Sequence, residues 1–346
     1  MRISVAMCTF NGAAYLGAQL ETIAGQTRLP DELVVSDDRS TDDSVEVVEK
    51  FAAEAPFPVD VTVVDRHLGS TRNYERVIQR CSGDLIVLCD QDDVWLPQKL
   101  ERIEHEFARA DRVGLAFSDA YLMNADGQPT GRRLWDIAGF NASQRVRMRR
   151  DPLGVLLGRS IVSGCTLAFR SRYRPLLVPF PPERAAPRMR LIHDRWISLV
   201  LAAASEVAVV DEPLVGYRIH RRQQVGIPRL QVRMVVPQSV LRFRQVAVPH
   251  PLMLERLEAT LGHLETVRDR LVSAPGAEAR GAAVARLDDA IAHTRTRAAL
   301  PAGRTGRVPG VLRELTSGRY HRYSLGFASA VADLARSPAE RPAGPA

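Results

Sequence analysis

The 346-residue sequence has no apolar run of the roughly 20 residues that a membrane-spanning helix requires. It also shows no signal-peptide pattern, because Met1-Arg2-Ile3 leads directly into a strand-like segment that Asn11-Gly12 ends. From these two absences we expect a cytoplasmic protein, with at most a peripheral contact at the inner face of the cell membrane.

Cysteines and aromatic residues are both scarce. The four cysteines form no CxxC pair and have apolar neighbours, which predicts buried free thiols in a reducing compartment. Aromatic residues make up 6% of the chain and do not alternate with the arginines, and no nucleic-acid-binding motif occurs. A nucleic-acid-binding protein is therefore disfavoured, although the net charge of +7 indicates some anionic partner. The cysteines are Cys8, Cys81, Cys89 and Cys165.

Strand and helix patterns alternate along the first part of the chain, which predicts a mostly parallel sheet flanked by helices. Ligands of such sheets bind beyond the carboxyl ends of the strands. The predicted strands are Ile3–Met7, Leu33–Ser36, Val59–Val64, Leu85–Cys89 and Val113–Ser118.

The second half of the chain is less regular. Residues 124–150 combine a turn signal with many arginines, which predicts a mobile basic segment outside the core. A strand at Thr166–Phe169, a helix at His193–Ala204 and a strand at Val207–Val210 follow. From about residue 255 the pattern is helical, and residues 337–346 are Pro- and Ala-rich and are expected to be disordered.

Residues 213–254 contain no Asp or Glu and seven arginines. One interpretation is a solvated face beside the active site. The other is that residues 218–244 contact anionic lipid headgroups or a diphospholipid acceptor, because valines and leucines accompany the arginines.

The strongest single feature is the acidic cluster Asp90-Gln91-Asp92-Asp93, which follows a fully apolar strand. Carboxylates this close repel one another unless a cation or a hydrogen-bond donor compensates. Mg²⁺ and Mn²⁺ take carboxylate oxygens and also bridge phosphates, so the cluster suits a diphosphate ligand with its metal. The alternative is an acidic helix N-terminus, with Asp93 capping a helix that starts near Leu96.

Three other polar groups are candidates with ordinary alternatives. Asp37-Asp38 ends a predicted strand and suits a base or a ribose hydroxyl, but the same stretch also resembles a turn with a cap at Ser40 or Thr41. Taken alone, Asp194 is typical of a helix cap, and a lone His220 is typical of a surface or core histidine.

Taken together, these segments resemble glycosyltransferase family 2. The resemblance rests on several blocks in matching order over roughly residues 1–225, which is more specific than any one motif. Within the family, the sequence looks most like bacterial rhamnosyltransferase-like enzymes of cell-surface polysaccharide synthesis. The blocks are Val5–Gly12, Val34–Asp42, Asp90–Trp95, Val162–Thr166, His193–Trp196 and Tyr217–His220.

The resemblance implies a GT-A fold and an inverting transfer of a sugar from a dTDP- or UDP-linked donor to a hydroxyl of a glycan or lipid-linked acceptor. It implies a catalytic domain at 1–225, with a nucleotide-binding half at 1–120 and an acceptor half at 121–225. A helical basic extension would occupy 226–336. The family often has Gly where this chain has Arg39, so the loop after Asp38 is expected to differ in shape.

The site roles are likewise implied by the resemblance, position by position. A divalent Mg²⁺ or Mn²⁺ would neutralise the leaving diphosphate, and one carboxylate would accept the proton of the acceptor hydroxyl. The nucleotide-sugar would contact Thr9, Asn11, Asp37, Asp38 and Asp90; the metal ligands would be Asp92 and His220; and Asp194 would be the catalytic base.

A sugar-phosphate nucleotidyltransferase is the alternative enzyme class, since it also uses a strand-end carboxylate and a metal. Such enzymes usually carry a Gly-rich, basic phosphate loop near the N-terminus. Here Thr9–Ala14 contains one glycine and no Lys or Arg, which weighs against that alternative.

Overall fold

The structure is a computed structural model of the chain. It describes residues 1–182, 190–223, 250–301 and 303–336. The described residues form two compact units. The first contains residues 1–152, 161–182 and 192–223, and the second contains residues 153–160, 190–191, 250–301 and 303–336.

Nine strands form one sheet within the described part of the first unit. The strands are β1 (Ile3–Thr9), β2 (Glu32–Asp37), β3 (Val59–Val63), β4 (Leu85–Asp90), β5 (Val94–Trp95), β6 (Val113–Met123), β7 (Pro129–Arg133), β8 (Leu167–Arg170) and β9 (Glu206–Arg218). Strands β1, β2, β4, β6 and β8 are almost fully buried and largely apolar, as expected for strands covered on both faces.

The strand order is β3-β2-β1-β4-β8-β6-β9-β5, with β7 paired to β6. Strands β3, β2, β1 and β4 are parallel, so their carboxyl ends meet at one edge. Strand β8 runs antiparallel between β4 and β6, and β9 is parallel to β6. The register places Thr9 beside Asp37 and Cys8 beside Asp90. The predicted α/β architecture is confirmed, and its sheet is mixed beyond β4.

Helices flank this sheet because their apolar residues recur on one face, as at Leu16, Leu20 and Ile23. Helix α7 (Pro152–Gly158) belongs to the second unit, except for its first residue. The helices of the first unit are α1 (Ala13–Ala24), α2 (Ser44–Glu54), α3 (Ser70–Arg80), α4 (Lys99–Arg109), α5 (Leu134–Ala138), α6 (Ala142–Arg150), α8 (Arg174–Leu177) and α9 (His193–Ala204).

The prediction of a mobile basic segment at 124–150 is wrong. This segment contains β7, α5 and α6, and the Trp135 and Phe140 rings pack edge to face at 4.9 Å, with 2% and 1% of each residue exposed. Its arginines are exposed or half-buried, and Arg145 and Arg149 both pair with Asp211. The prediction relied on the number of arginines and overlooked Trp135 and Phe140. These two aromatic residues bury enough apolar area to hold the segment against the core.

Two local predictions also need correction. The strand predicted at Val207–Val210 extends to Arg218, because β9 continues past Pro213 beside β6. Neither predicted helix cap is present: α2 follows Asp43 with no side-chain cap, and α4 begins at Lys99, well after Asp93.

The cysteines are all free, and Cys81, Cys89 and Cys165 are buried as predicted. Cys8 is only half-buried, because it lies at the end of β1 where the edge of the sheet opens.

The described part of the second unit is helical, which confirms a helical C-terminal region. Its core includes Val311, Tyr320 and Ala330. None of the helices in the described ranges combines the length and apolar character needed to span a membrane. The tail at 337–346 and most of the basic stretch at 218–244 lie outside the described residues. The helices are α10 (His250–Ser273), α11 (Gly281–Ala298), α12 (Arg304–Thr316), α13 (Arg319–Tyr323) and α14 (Phe327–Ala335).

Candidate active site

A cavity of about 420 Å³ lies at the carboxyl ends of β1, β2 and β4. This is the edge at which open α/β sheets bind ligands. Five of the eight residues that the sequence predicted for the site line it, namely Thr9, Asp38, Asp90, Asp92 and Asp194. The sequence analysis assigned no role in the site to several other lining residues, although five of them lie in the motif blocks that carry the resemblance: Phe10, Ser163, Gly164, His193 and Tyr217. The remaining ones include His67, Asn73, Tyr74 and Arg222.

Asp37 holds the loop after β2. Its carboxylate accepts hydrogen bonds from Thr9 Oγ1 at 2.7 Å and from the backbone N and Oγ of Ser40 at 2.7 and 2.6 Å. Only 1% of Asp37 is exposed, and it does not line the cavity. Its visible role is therefore to fix the loop that carries Asp38, and its predicted contact with the nucleotide stays a prediction.

Asp38 lines the cavity and at the same time organises the loop that precedes α3. Its carboxylate accepts hydrogen bonds from the backbone N of Leu68 and Gly69 at 2.6 and 2.8 Å, and His67 Nδ1 lies 2.9 Å from it. The His67 ring in turn packs on Phe10, with centroids 4.4 Å apart. This gives the cavity an aromatic wall beside a carboxylate.

Two non-glycine residues near this wall have left-handed backbones. Asn11 has a φ of 48°, and its side-chain Oδ1 accepts the backbone N–H of Thr41 at 2.8 Å. Arg39 has a φ of 64°, in the region that favours glycine. The position where the family often has Gly therefore uses a backbone conformation that suits Gly, although an arginine occupies it.

The three carboxylates of the acidic cluster have different partners. Asp90 accepts a hydrogen bond of 2.6 Å from the hydroxyl of Tyr74, and Asp92 Oδ2 lies 2.8 Å from His220 Nε2. Asp93 accepts the backbone N–H of Arg218 at 2.9 Å. Asp90 and Asp92 line the cavity, whereas Asp93 is 1% exposed and lies behind them.

Burial of the acidic cluster disfavours its negative charge. Burial and the neighbouring Asp92 raise the pKa of Asp90 to about 6. Burial and the same neighbour raise the pKa of Asp93 well above its usual value. Among the described residues, Asp93 Oδ2 has no hydrogen-bond partner. The described protein surroundings therefore shift Asp90 and Asp93 towards their neutral forms.

Arg218, at the end of β9, ties the acidic loop in place. Its Nε donates to the carbonyl of Asp92 at 2.7 Å and its Nη1 to the carbonyl of Ala125 at 2.9 Å, while the guanidinium lies 4.9 Å from the Tyr15 ring centre. The residue is 6% exposed, so it is not free to contact lipid as the basic-stretch interpretation assumed. Sequence reasoning missed this role because it depends on the full length of β9.

Asp194 lies in the first turn of α9 and lines the cavity half-buried. Its Oδ1 accepts the backbone N–H of Arg195 at 2.5 Å. Burial raises the pKa of Asp194 to about 7, and the negative charge of Asp90 adds to this effect. A carboxyl group with a pKa near 7 is well suited to accept a proton at physiological pH.

His193, next to Asp194, stacks on Tyr74 with ring centroids 4.0 Å apart. Burial lowers the pKa of His193 to about 3, so the ring is neutral. Tyr74 thus contacts both Asp90 and the residue before Asp194. From the sequence, Tyr74 could be placed only within a predicted helix. Its hydrogen bond to Asp90 could not be predicted, because it depends on how the chain folds.

The donor set fits a hard divalent cation. Asp90 and Asp92 supply carboxylate oxygens at the cavity surface, and His220 contacts Asp92. Burial disfavours the ionised form of Asp90, and a bound cation would offset that cost. Asp90, Asp93 and Cys165 also place potential ligand atoms within 4.8 Å of one another. Lys99 lies close to this set, because its amine donates to the Cys165 carbonyl at 2.7 Å, so the set already has an internal cationic side chain beside it.

Residues 4–172 match the family described as Glycosyl transferase family 2. An uncharacterized glycosyltransferase of Nostoc sp. is 28% identical over 224 residues, which cover 64% of this chain and 65% of that protein. The dTDP-rhamnosyl transferase RfbG of Shigella flexneri is 30% identical over 99 residues, 28% of this chain and 34% of that protein. The chain thus spans less than two thirds of the length of either relative.

Solved structures with similar folds include complexes with nucleotide-sugars. TarS 1-349 of S. aureus in complex with UDP-GlcNAc has a TM-score of 0.54 at 14% identity, over 96% of this chain and 88% of that chain. Mannosyltransferase PcManGT of Pyrobaculum calidifontis in complex with GDP-Man and Mn²⁺ has a TM-score of 0.50 at 13% identity, over 96% and 84%. Identities this low show the fold alone.

The sheet, its edge cavity and these fold neighbours define a GT-A fold. Residues 4–172 match glycosyltransferase family 2, a family of enzymes.

Proposed function

We propose that this protein transfers a sugar from a nucleotide-diphosphate donor to a hydroxyl of a glycan or lipid-linked acceptor. The observation that carries the proposal is the shared cavity of Asp38, Asp90, Asp92 and Asp194 at one edge of the sheet. In this cavity, Asp38 would contact the nucleotide, and Asp90 and Asp92 would lie on the side of the metal. The third group is Asp194, a carboxyl group with a pKa of about 7.

The donor would lie along the edge formed by β1, β2 and β4. Asp38 and the Phe10–His67 wall would contact the nucleoside, with Thr9, Asn11 and Asp37 holding the loops around it. Asp90 would contact the ribose or the donor sugar. Asp92 and His220 would hold Mg²⁺ or Mn²⁺, which supplies charge neutralisation of the leaving diphosphate when bound.

The transfer itself would be an inverting single displacement. The acceptor oxygen attacks the anomeric carbon as the bond to the diphosphate oxygen breaks, and the hydroxyl proton passes to the Asp194 carboxylate. One carboxylate suffices because no enzyme nucleophile takes part, whereas retaining hydrolases need two carboxyl groups with separate roles. The raised pKa of Asp194 supports this assignment.

Rhamnose on a dTDP carrier is the proposed donor, and cell-surface polysaccharide synthesis at the cytoplasmic side is the proposed setting. The relative named a dTDP-rhamnosyl transferase supports the donor. We also propose the division into a catalytic domain at 1–225, with halves at 1–120 and 121–225, and an extension at 226–336.

The experiment that tests the proposal is a thermal-shift screen of dTDP-, UDP- and GDP-sugars with and without Mn²⁺ or Mg²⁺. It is followed by product analysis with the donor that stabilises the protein best. We expect metal-dependent stabilisation by a nucleotide-sugar, followed by release of the nucleoside diphosphate. Pyrophosphate release from a sugar phosphate and a nucleoside triphosphate would instead establish a nucleotidyltransferase and overturn the proposal.

A further inference from the structure

The last helices of the chain expose large apolar side chains. Phe327 is 67% exposed and Leu312 is 54% exposed, and no other exposed large apolar residue in the described ranges reaches these values. Val308 precedes Leu312 by four residues on α12, and Val331 follows Phe327 by four residues on α14. Each pair therefore lies on one face of its helix.

Both helices also have residues that are buried in the core of the second unit, so the exposed apolar side chains do not mean that the helices are unpacked. A different side of α12 buries Arg307, Val311 and Glu314, and α14 buries Ala330 and Asp333. Both helices thus already have a packed side, and the exposed apolar side chains form a second, separate side.

The exposed charges within residues 301–336 are of one sign. Glu314 and Asp333 are the only acidic residues between positions 301 and 336. They are 1% and 0% exposed and are bound by His293 at 2.6 Å and Arg297 at 2.7 Å. The exposed charged or ionisable residues of this stretch are Arg304, Arg313, His321 and Arg322.

The exposed arginines differ in their pairing. Within the described part of the chain, Arg304 and Arg313 form no ion pair, whereas Arg322 lies 3.6 Å from Asp289. His321 packs edge to face on Phe327, with centroids 4.7 Å apart. A basic side chain therefore lies directly beside the most exposed apolar one.

We infer that this apolar-basic surface, made of Val308, Leu312, Phe327 and Val331 with Arg304, Arg313, His321 and Arg322, docks on an anionic lipid surface. Apolar side chains insert at the boundary between headgroups and acyl chains, and arginines meet the lipid phosphates. Self-association would place arginine near arginine, which costs free energy, so a second copy of the chain is a poorer partner. The inference goes beyond the proposed function and does not depend on it.

The test is flotation of the full chain with vesicles of phosphatidylcholine alone and of phosphatidylcholine with phosphatidylglycerol. We expect the protein to float only with the anionic vesicles, and less at high salt. The double variant Leu312→Glu/Phe327→Glu should reduce the partition coefficient roughly tenfold or more. Arg304→Gln and Arg313→Gln should each reduce it roughly fivefold.

Matched controls make the same chemical changes elsewhere. Val63→Glu/Val272→Glu replaces two exposed valines outside the surface, and Arg109→Gln/Arg112→Gln removes two exposed arginines. Both controls should float like the wild type. Circular dichroism checks folding, and if the double glutamate variant misfolds, the two arginine variants decide.

Three outcomes would overturn the inference. In the first, the wild type fails to float with anionic vesicles. In the second, the variants of the apolar-basic surface float as well as the controls do. In the third, the lipid-free wild type is an oligomer by light scattering and Leu312→Glu/Phe327→Glu converts it to a monomer, which would make the surface a self-association interface. Donor-induced thermal shifts report separately on the proposed function, because none of these substitutions touches the cavity.

Discussion

The imidazole Nε2 of His220 lies 2.8 Å from Oδ2 of Asp92, although 128 positions separate the two residues in the chain. The side chains are 8% and 17% exposed, so the contact is shielded from bulk water. The Tyr15 ring packs on the other side of the pair, 4.6 Å from the imidazole. A change at either residue should therefore alter how the cavity binds a divalent cation.

Asp92→Asn is expected to abolish metal-dependent transfer, because the amide removes the charge that would ligate the cation. His220→Ala should raise the Mn²⁺ concentration needed for half-maximal activity by about 10- to 100-fold, since it removes the group that holds Asp92. Metal titrations of initial rates measure both effects. Asp126→Asn, in an exposed turn, serves as the control. Unchanged metal dependence of Asp92→Asn would refute the ligand assignment.

Asp194→Asn should retain donor binding and lose turnover by about 10²- to 10⁴-fold, because the amide does not accept the acceptor's proton. Donor-induced thermal shifts measure the first property and product formation measures the second. A rate near that of the wild type would show that another group is the base.

Turnover should increase with pH through the pKa of Asp194. Burial, with the charge of Asp90, raises that pKa to about 7, and only the ionised carboxylate accepts a proton. Below the apparent pKa, kcat at saturating donor should fall about tenfold per pH unit, and above it the rate should level off. A rate that stays constant between about pH 5 and pH 9 would contradict this assignment.

Asp93→Asn should make the stability of the protein less sensitive to pH. Burial raises the pKa of Asp93 in the folded state, so its stabilising contribution is complete below the unfolded pKa of about 3.9 and is lost as pH rises through the folded pKa. Asparagine keeps an oxygen for the N–H of Arg218 and removes the charge.

Urea unfolding in the presence of a chelator, at about pH 5 and pH 8, measures this effect. Between the two pH values, the free energy of unfolding should fall less for Asp93→Asn than for the wild type. Asp126→Asn should follow the wild type. An equal loss of unfolding free energy in all three proteins would mean that ionisation of Asp93 does not destabilise the folded state.

Trp135→Ala tests the corrected structure of residues 124–150. Trp135 is 2% exposed and packs on Phe140, so its removal should cost about 3–5 kcal/mol of unfolding free energy. Val146→Ala, at an exposed position on α6, should change it by no more than about 0.5 kcal/mol. A similar effect for both variants in urea unfolding would indicate that the segment is not part of the core.

Local patterns predicted much of the first unit. The buried runs at β1, β2 and β4 and the acids that follow them identified the sheet and its functional edge, since parallel strands of one sheet end at one edge. The same reasoning failed at residues 124–150, because composition counts arginines without showing which side of a helix carries them.

The sequence by itself determined the alternating strands and helices, the acidic strand ends at Asp38 and Asp90, and the resemblance to glycosyltransferase family 2, because these depend on residue order and periodicity. Only the tertiary structure decided that Asp37 holds a loop while Asp38 faces the cavity, and that Arg218 and Tyr74 brace the acidic loop. It also placed His220 beside Asp92. Those contacts join residues far apart in the chain, and their distances and burial depend on how the whole sheet pairs.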